Sequence, residues 1–184
     1  ANVANKLYIY AIIFINYINF NIILLNNMDY IEYKILSALQ ENSRINNIEL
    51  AKKVGLSPSP CLRRVRSLEE KKIISGYSAI INQNKVDLSV NVFVQVSLEK
   101  QSEDKLQIFE QKIQEYEEVM EAYLMTGDAD YLLRIVVKDI QTYEHFLKVN
   151  LTSIPGIASI RSYFSLKQVT RKFNLPIQNP KFDL

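Results

Sequence analysis

Between residues 29 and 40, Tyr30, Ile31, Ile35, Leu36 and Leu39 recur at helical spacing and predict a first helix from Asp29 to Gln40. Ile48, Ala51 and Val54, with Leu50, give a second helix an inward face. Asn46 is placed to cap it, with Glu49 three residues on. Ala51 is small enough for another helix to approach closely. Gly55 ends this helix where the backbone needs a positive φ, and Leu56 plugs the turn. Ser57 is a good N-cap residue, and Pro58 takes the first position of a third helix, where its missing N–H costs nothing. Cys61, Leu62, Val65 and Leu68 form the apolar stripe of that helix, and Arg63, Arg64 and Arg66 occupy the rest of its surface.

The pattern then changes. Ile73 to Ile81 reads as a short β-ribbon with Gly76 as its turn or bulge, and Asn82 to Leu88 is polar and aperiodic, a linker. Val90 to Leu98 alternates as a strand with Val92, Val94 and Val96 on one face. Ser102 caps a helix with Glu103 and Asp104 at its positive end and Leu106, Phe109, Ile113 and Tyr116 as its buried stripe. Val119–Met125 and Tyr131–Val137 are strands joined by Thr126–Asp130. Asp139 caps a helix carrying Ile140, Tyr143, Phe146 and Leu147, ended by Pro155 and Gly156, and Ile157–Ser165 is a fourth strand. The order βαββαβ predicts a ferredoxin-like sheet with helices on one face. The other face is expected to be apolar and to need covering, a natural dimer surface.

Charge divides the chain along the same line. Residues 28–80 carry nine Lys and Arg against six Asp and Glu, and residues 81–184 carry twelve against fourteen. A basic, capped, arginine-bearing second helix after a glycine turn predicts a helix-turn-helix whose last helix lies in a DNA groove. No catalytic constellation is visible. The four glycines each mark a boundary and none forms a phosphate loop. One cysteine and one histidine, Cys61 and His145, leave no local zinc site of the usual ligands and no intramolecular disulfide. Cys61 reads as a buried, inert thiol.

LSPSPCLRRVRSLE followed by IISGYSAIIN resembles the leucine-responsive/asparagine-responsive (feast/famine) family of transcription regulators, and YLMTGDADYLLRIVV resembles that family's effector-domain hairpin. The resemblance runs from about Met28 to about Thr170. It implies an α+β chain: a winged-type helix-turn-helix over 28–81, a linker over 82–89, an effector-binding and dimerisation domain (ACT-like) over 90–170, and a tail over 171–184. The implied partners are double-stranded DNA, an amino-acid effector with no other cofactor, and further copies of the chain, as a homodimer assembling to a tetramer or octamer. A cytoplasmic, nucleoid-associated regulator without enzymatic activity follows. A tetrapyrrole decarboxylase of the same architecture needs more histidines than this chain has, and an effector-independent nucleoid-organising protein is a third reading.

Candidate DNA contacts are Ser57, Ser59 and Pro60 at the leading end of the recognition helix, then Arg63, Arg64 and Arg66, with Lys71 and Lys72 for phosphates. Relatives of the SPTPCLERV type often carry Glu where Arg63 stands, so Arg63 adds positive charge. Arg64 has a second reading, as a brace to Glu32 or Asp29. TGDAD is ordinary hairpin chemistry on spacing alone. The resemblance implies an effector site at a contact between dimers, formed by Leu124, Thr126, Gly127, Asp128, Asp130, Ile140, Tyr163, Phe164 and Ser165, with Gly127 turning its backbone to a carboxylate and Asp128 or Asp130 pairing with an ammonium.

Residues 1–27 fall outside these patterns. Leu7 to Leu25 carries no charge but is interrupted by Asn16, Asn19 and Asn21. It reads as sequence translated from upstream of a start at Met28, with a membrane anchor or an uncleaved signal as the alternatives.

Overall fold

The computed structural model describes residues 28–177, so the expectations for residues 1–27 lie outside the described residues. The chain divides into two units, one of residues up to 80 together with those from 170, the other of residues 81–169. No helix among the described residues is long and apolar enough to cross a membrane.

The first unit holds α1 (Tyr30–Glu41), α2 (Asn47–Val54) and α3 (Pro58–Glu70). Asp29 caps α1 rather than beginning it. Its carboxylate accepts from the Glu32 N–H at 2.9 Å while Glu32 accepts from the Asp29 N–H at 3.0 Å, a reciprocal box that satisfies two otherwise orphan donors. Asn46 caps α2 through the Glu49 N–H at 2.9 Å. Ser57 takes the cap position of α3, but its side chain makes no capping bond. The core is Ile35, Ala38, Leu50, Ala51, Val54, Cys61 and Leu68, with Leu56 and Val65 packed against it.

Two residues depart from the expected stripes: Ile48 is 71 % exposed and Leu62 39 %. Each residue turns a helix by about 100°. Ile48 therefore points away from Leu50, and Leu62 sits at the edge of the stripe begun by Cys61. The expected β-ribbon over 73–81 is absent, since that segment forms no strand. The N–H groups of Ile73 and Ile74 bond back to the Leu68 carbonyl instead, and Tyr77 donates to Glu69 at 2.9 Å. Two short strands with no third partner do not hold a ribbon by themselves.

Helix ends explain two further details. Gly55 has φ 78° and lets the Leu56 N–H reach the Ala51 carbonyl at 2.9 Å. At the end of α3 the same left-handed position is filled by Lys72, φ 57°, with the Ile73 N–H on Leu68 at 2.9 Å. A β-carbon costs about 1–2 kcal/mol in that conformation. Lys72→Gly is therefore expected to raise stability by about 1 kcal/mol after the entropy cost of glycine, read as a higher urea midpoint at unchanged slope. It should also lower the salt slope of DNA binding by about one if Lys72 meets a phosphate.

The tail does not simply trail off. Gln40 of α1 grips the backbone of Leu175, donating from Nε2 to its carbonyl at 3.2 Å and accepting from its N–H at 2.6 Å.

The second unit runs β1 (Val90–Leu98), α4 (Glu103–Gln114), β2 (Val119–Leu124), β3 (Tyr131–Val137), α5 (Ile140–Phe146) and β4 (Ile157–Phe164). α5 widens into a π-helical turn at Leu147–Leu151. The sheet order is β2-β3-β1-β4, all antiparallel, which is the ferredoxin-like α+β arrangement. Val92, Val94 and Val96 pair with Ile135, Leu133 and Tyr131 and face Phe109, Ile113, Tyr143, Phe146 and Leu151. The Phe109 and Tyr131 rings lie 4.5 Å apart. The opposite face is only partly the apolar one expected, with Leu132 and Val136 on it beside charged side chains. Phe93, Tyr123 and Tyr163 share it with Glu121, Arg134 and Arg161, and Arg134 pairs with Glu121 at 2.8 Å.

Candidate nucleic-acid interface and effector site

On α3 the helical period sets Ser59, Arg63 and Arg66 on one exposed face, away from buried Cys61 and Leu68. Ser57 lies exposed at the leading end and Pro60 is half-buried behind it. Asn47 donates from Nδ2 to the Pro58 carbonyl at 2.8 Å and so ties the start of α2 to the start of α3. Arg63 and Arg66 make no ion pair among the described residues, and Lys71 and Lys72 stand exposed where α3 ends. Four cations on and just beyond one exposed helix suit a polyanion. Cys61 is fully buried, and burial pushes its thiol up, which keeps it inert.

Arg64 stands apart from its neighbours. Its guanidinium lies 2.5 Å from Asp29 and 4.0 Å from Glu32, bracing α3 against the start of α1. Burial alone would raise the Asp29 carboxyl. The Glu32 N–H and the Arg64 guanidinium outweigh it and hold the group below its ordinary 3.8. A depressed carboxyl contributes stability above its unfolded value and loses it as pH falls through the folded one. The stability gap between the parent chain and Arg64→Met should thus be full above pH ~4 and close below it. Urea midpoints across pH 2–7 check this.

The nine expected effector residues do not converge in one chain. Leu124, Thr126, Gly127, Asp128 and Asp130 lie at the β2–β3 hairpin, where the Asp130 N–H bonds to the Val96 carbonyl at 2.9 Å. Ile140 follows Val137, which pairs with Val90, and the Ser165 N–H bonds to Asn91 at 3.0 Å, so Ile140 and Tyr163–Ser165 belong to the other end. Five residue steps along β1 take Asn91 to Val96, about 17 Å. Phe164 also faces the helices, edge-on to Tyr143 with centroids 5.3 Å apart, while Tyr163 faces away. A ligand touching both groups would need them from different chains.

Within the hairpin the two aspartates differ. Asp130 is 2 % exposed; it accepts from the Leu98 N–H at 2.8 Å and from the Gln101 amide. It holds the hairpin to the end of β1 and is not aimed at solvent, because those two donors engage its carboxylate. Gly127 has φ 148° with open space around its Cα, a conformation glycine adopts freely. Asp128 lines a shallow cleft with Gln95, Ser97, Ala129, Ser159 and Arg161. Sequence reasoning missed the other members of this set. The signal was the run of polar residues at alternate positions on β1 and β4, which meets only once Gln95 is paired with Arg161 and Ser97 with Ser159.

Residues 28–75 match the winged helix-turn-helix DNA-binding family and residues 91–175 the Lrp/AsnC ligand binding domain. The chain is 49 % identical over 150 residues to the Bkd operon transcriptional regulator of Pseudomonas aeruginosa, covering 82 % of this chain and 98 % of that protein. It is 40 % identical over 152 residues to the leucine-responsive regulatory protein of Escherichia coli, covering 83 % and 93 %. A Neisseria meningitidis transcriptional regulator solved with L-Met superposes with a TM-score of 0.77 at 36 % identity, over 82 % of this chain and 97 % of that one. The exposed basic α3 and the α+β second unit thus agree with the likeness along most of the sequence: the chain belongs to the Lrp/AsnC family and is a transcription regulator with a DNA-binding winged helix-turn-helix followed by a ligand-binding domain.

Proposed function

We propose that this regulator changes its grip on DNA in response to a free amino acid. The observation that carries the reading is the joining, in one chain, of a basic recognition helix to a ligand-binding domain whose structural neighbour was solved with L-Met. Its working form is a homodimer that assembles further, to a tetramer or octamer. Support comes from two exposed apolar features. Phe93, Tyr123 and Tyr163 on the open sheet face are 38–51 % exposed, and Tyr77, Ile80 and Ile81 lie on an extended segment with no strand partner. A dimer presents two recognition helices to successive major grooves. An effector then acts by binding one arrangement of those helices more tightly than another. The site on which it acts is the double-stranded DNA of the nucleoid, in the cytoplasm. The relatives are transcription regulators, and the reading gives the chain no catalytic step and no cofactor beyond the effector.

A thermal-shift screen against the twenty amino acids tests the reading. A ligand at a hundred times its Kd stabilises by about 2.7 kcal/mol, and the same amino acid should change operator affinity and sedimentation. A flat screen with DNA binding retained would leave an effector-independent nucleoid-organising protein in its place.

A further inference from the structure

We infer that residues 170–177 form a second DNA-contacting element, a basic strap whose Arg171 and Lys172 meet duplex phosphates beside those reached by α3. In sequence this segment follows the sheet of the second unit. In packing it belongs to the first unit, with the helix-turn-helix. That changes the charge of the DNA-binding unit. Residues 28–80 carry nine Lys and Arg against six Asp and Glu, and residues 170–177, TRKFNLPI, raise this to eleven against six.

The strap is tied down at a defined point. The Gln40 side chain presents a donor and an acceptor, and it meets both main-chain groups of Leu175, donating to the carbonyl at 3.2 Å and accepting from the N–H at 2.6 Å. An amide used in this way stands in for one residue of a neighbouring strand, so it fixes where the strap lies along α1. The Leu175 carbonyl also accepts from the Ile177 N–H at 2.8 Å, which turns the chain just beyond the tie. Gln40 stands at the end of α1 that leads to the recognition helix. Arg44 follows in the turn before α2, exposed and without an ion pair among the described residues. Asn47, at the start of α2, holds the Pro58 carbonyl at the start of α3.

The strap's own side chains suit a phosphate. Arg171 and Lys172 are exposed, and neither makes an ion pair among the described residues. The Arg171 guanidinium stacks over the Phe173 ring, 4.5 Å from its centroid. Stacking orders a guanidinium through its face and leaves the N–H groups at its edge for phosphate oxygens. No Asp or Glu occurs between residues 170 and 177 to compete for either cation. Phosphate contacts add affinity and fix register without choosing sequence. The strap therefore widens the footprint and leaves operator preference to α3.

The test is binding of the full chain to a long DNA duplex of mixed sequence across a salt series, with sedimentation alongside. Arg171→Gln combined with Lys172→Gln should lower the log–log salt slope by about two for each protomer engaged and weaken binding about tenfold or more near 0.1 M salt. Relative affinity among duplex sequences and the sedimentation coefficient should stay those of the parent. Gln40→Met keeps both cations but unties them. It should lose part of the same affinity while its melting temperature stays close to the parent's, because Gln40 is only half-buried. A double variant with the parent's slope and affinity overturns the assignment. So does a loss that appears only where sedimentation shows the assembly broken, since the strap then serves a neighbouring copy of the chain. Parent-like binding by Gln40→Met overturns the docked strap.

Discussion

Replacing Arg63 and Arg66 together with alanine is expected to weaken duplex binding by about a hundredfold or more while the melting temperature barely moves. Both side chains are exposed on α3 and neither is tied to a carboxylate. Their loss removes no core contact, and surface changes of this kind stay within about 0.5 kcal/mol of stability. Their value on DNA depends on what they touch. An arginine on a phosphate contributes about one unit to the log–log salt slope and nothing to sequence choice. An arginine read against a base edge contributes about 1–3 kcal/mol at one position of the operator. The single variants separate the two cases: a shallower salt slope with unchanged sequence preference marks a phosphate contact, and relaxed preference at one base pair marks a base contact. Arg64→Ala belongs to a different class, because its guanidinium is engaged with Asp29. It should cost stability first and affinity only as the angle of α3 loosens. Unchanged binding by the double variant would remove α3 from the interface.

The same contrast explains what the sequence could and could not disclose. The helix-turn-helix was legible because capping and turn residues act locally. Asn46, Gly55 and Pro58 each do their work within a few residues. The strands of the second unit were legible because Val92, Val94 and Val96 must all face one side. Ile48 and Leu62 were misread because a short helix buries a narrower stripe than its apolar positions suggest. The ribbon over 73–81 was misread because alternation and a glycine are necessary for a hairpin but supply no partner. Lys72 gave no warning of its left-handed backbone, since that conformation follows from how α3 closes its last turn and not from the lysine. The grip of Gln40 on Leu175 spans 135 positions and has no local signature. The division of the effector set was hidden for a related reason: the residues were gathered along the sequence, and only the register of β1 with β3 and β4 reveals that four of the nine lie at the far end of the sheet.

Asp130→Ala is expected to be the most damaging single change in the second unit outside its apolar core, costing about 3 kcal/mol, and Asp128→Ala should cost at most about 0.5 kcal/mol. The two residues stand two apart in TGDAD and are chemically identical, so the difference is entirely one of surroundings. Asp130 is buried and its carboxylate receives the Leu98 N–H and the Gln101 amide. Truncation strands a buried backbone donor at the end of β1, and such a donor loses its water without gaining a partner. The backbone bonds of the hairpin, Met125 N–H to the Asp130 carbonyl and Asp130 N–H to Val96, remain but lose their anchor. Asp130→Asn should fall between: one amide oxygen can still accept from Leu98, but the amide nitrogen then meets the donor of Gln101. With a urea slope of about 1 kcal/mol/M for a unit of this size, Asp130→Ala should lower the midpoint by about 3 M, and Asp128→Ala should hardly shift it. Effector response divides the pair the other way, because Asp128→Ala should fold and bind DNA yet lose the amino-acid-dependent change. If Asp130→Ala instead keeps the parent's midpoint and loses only that change, the buried carboxylate is the ammonium partner after all. Its bonds to Leu98 and Gln101 would then describe a closed state that the ligand displaces.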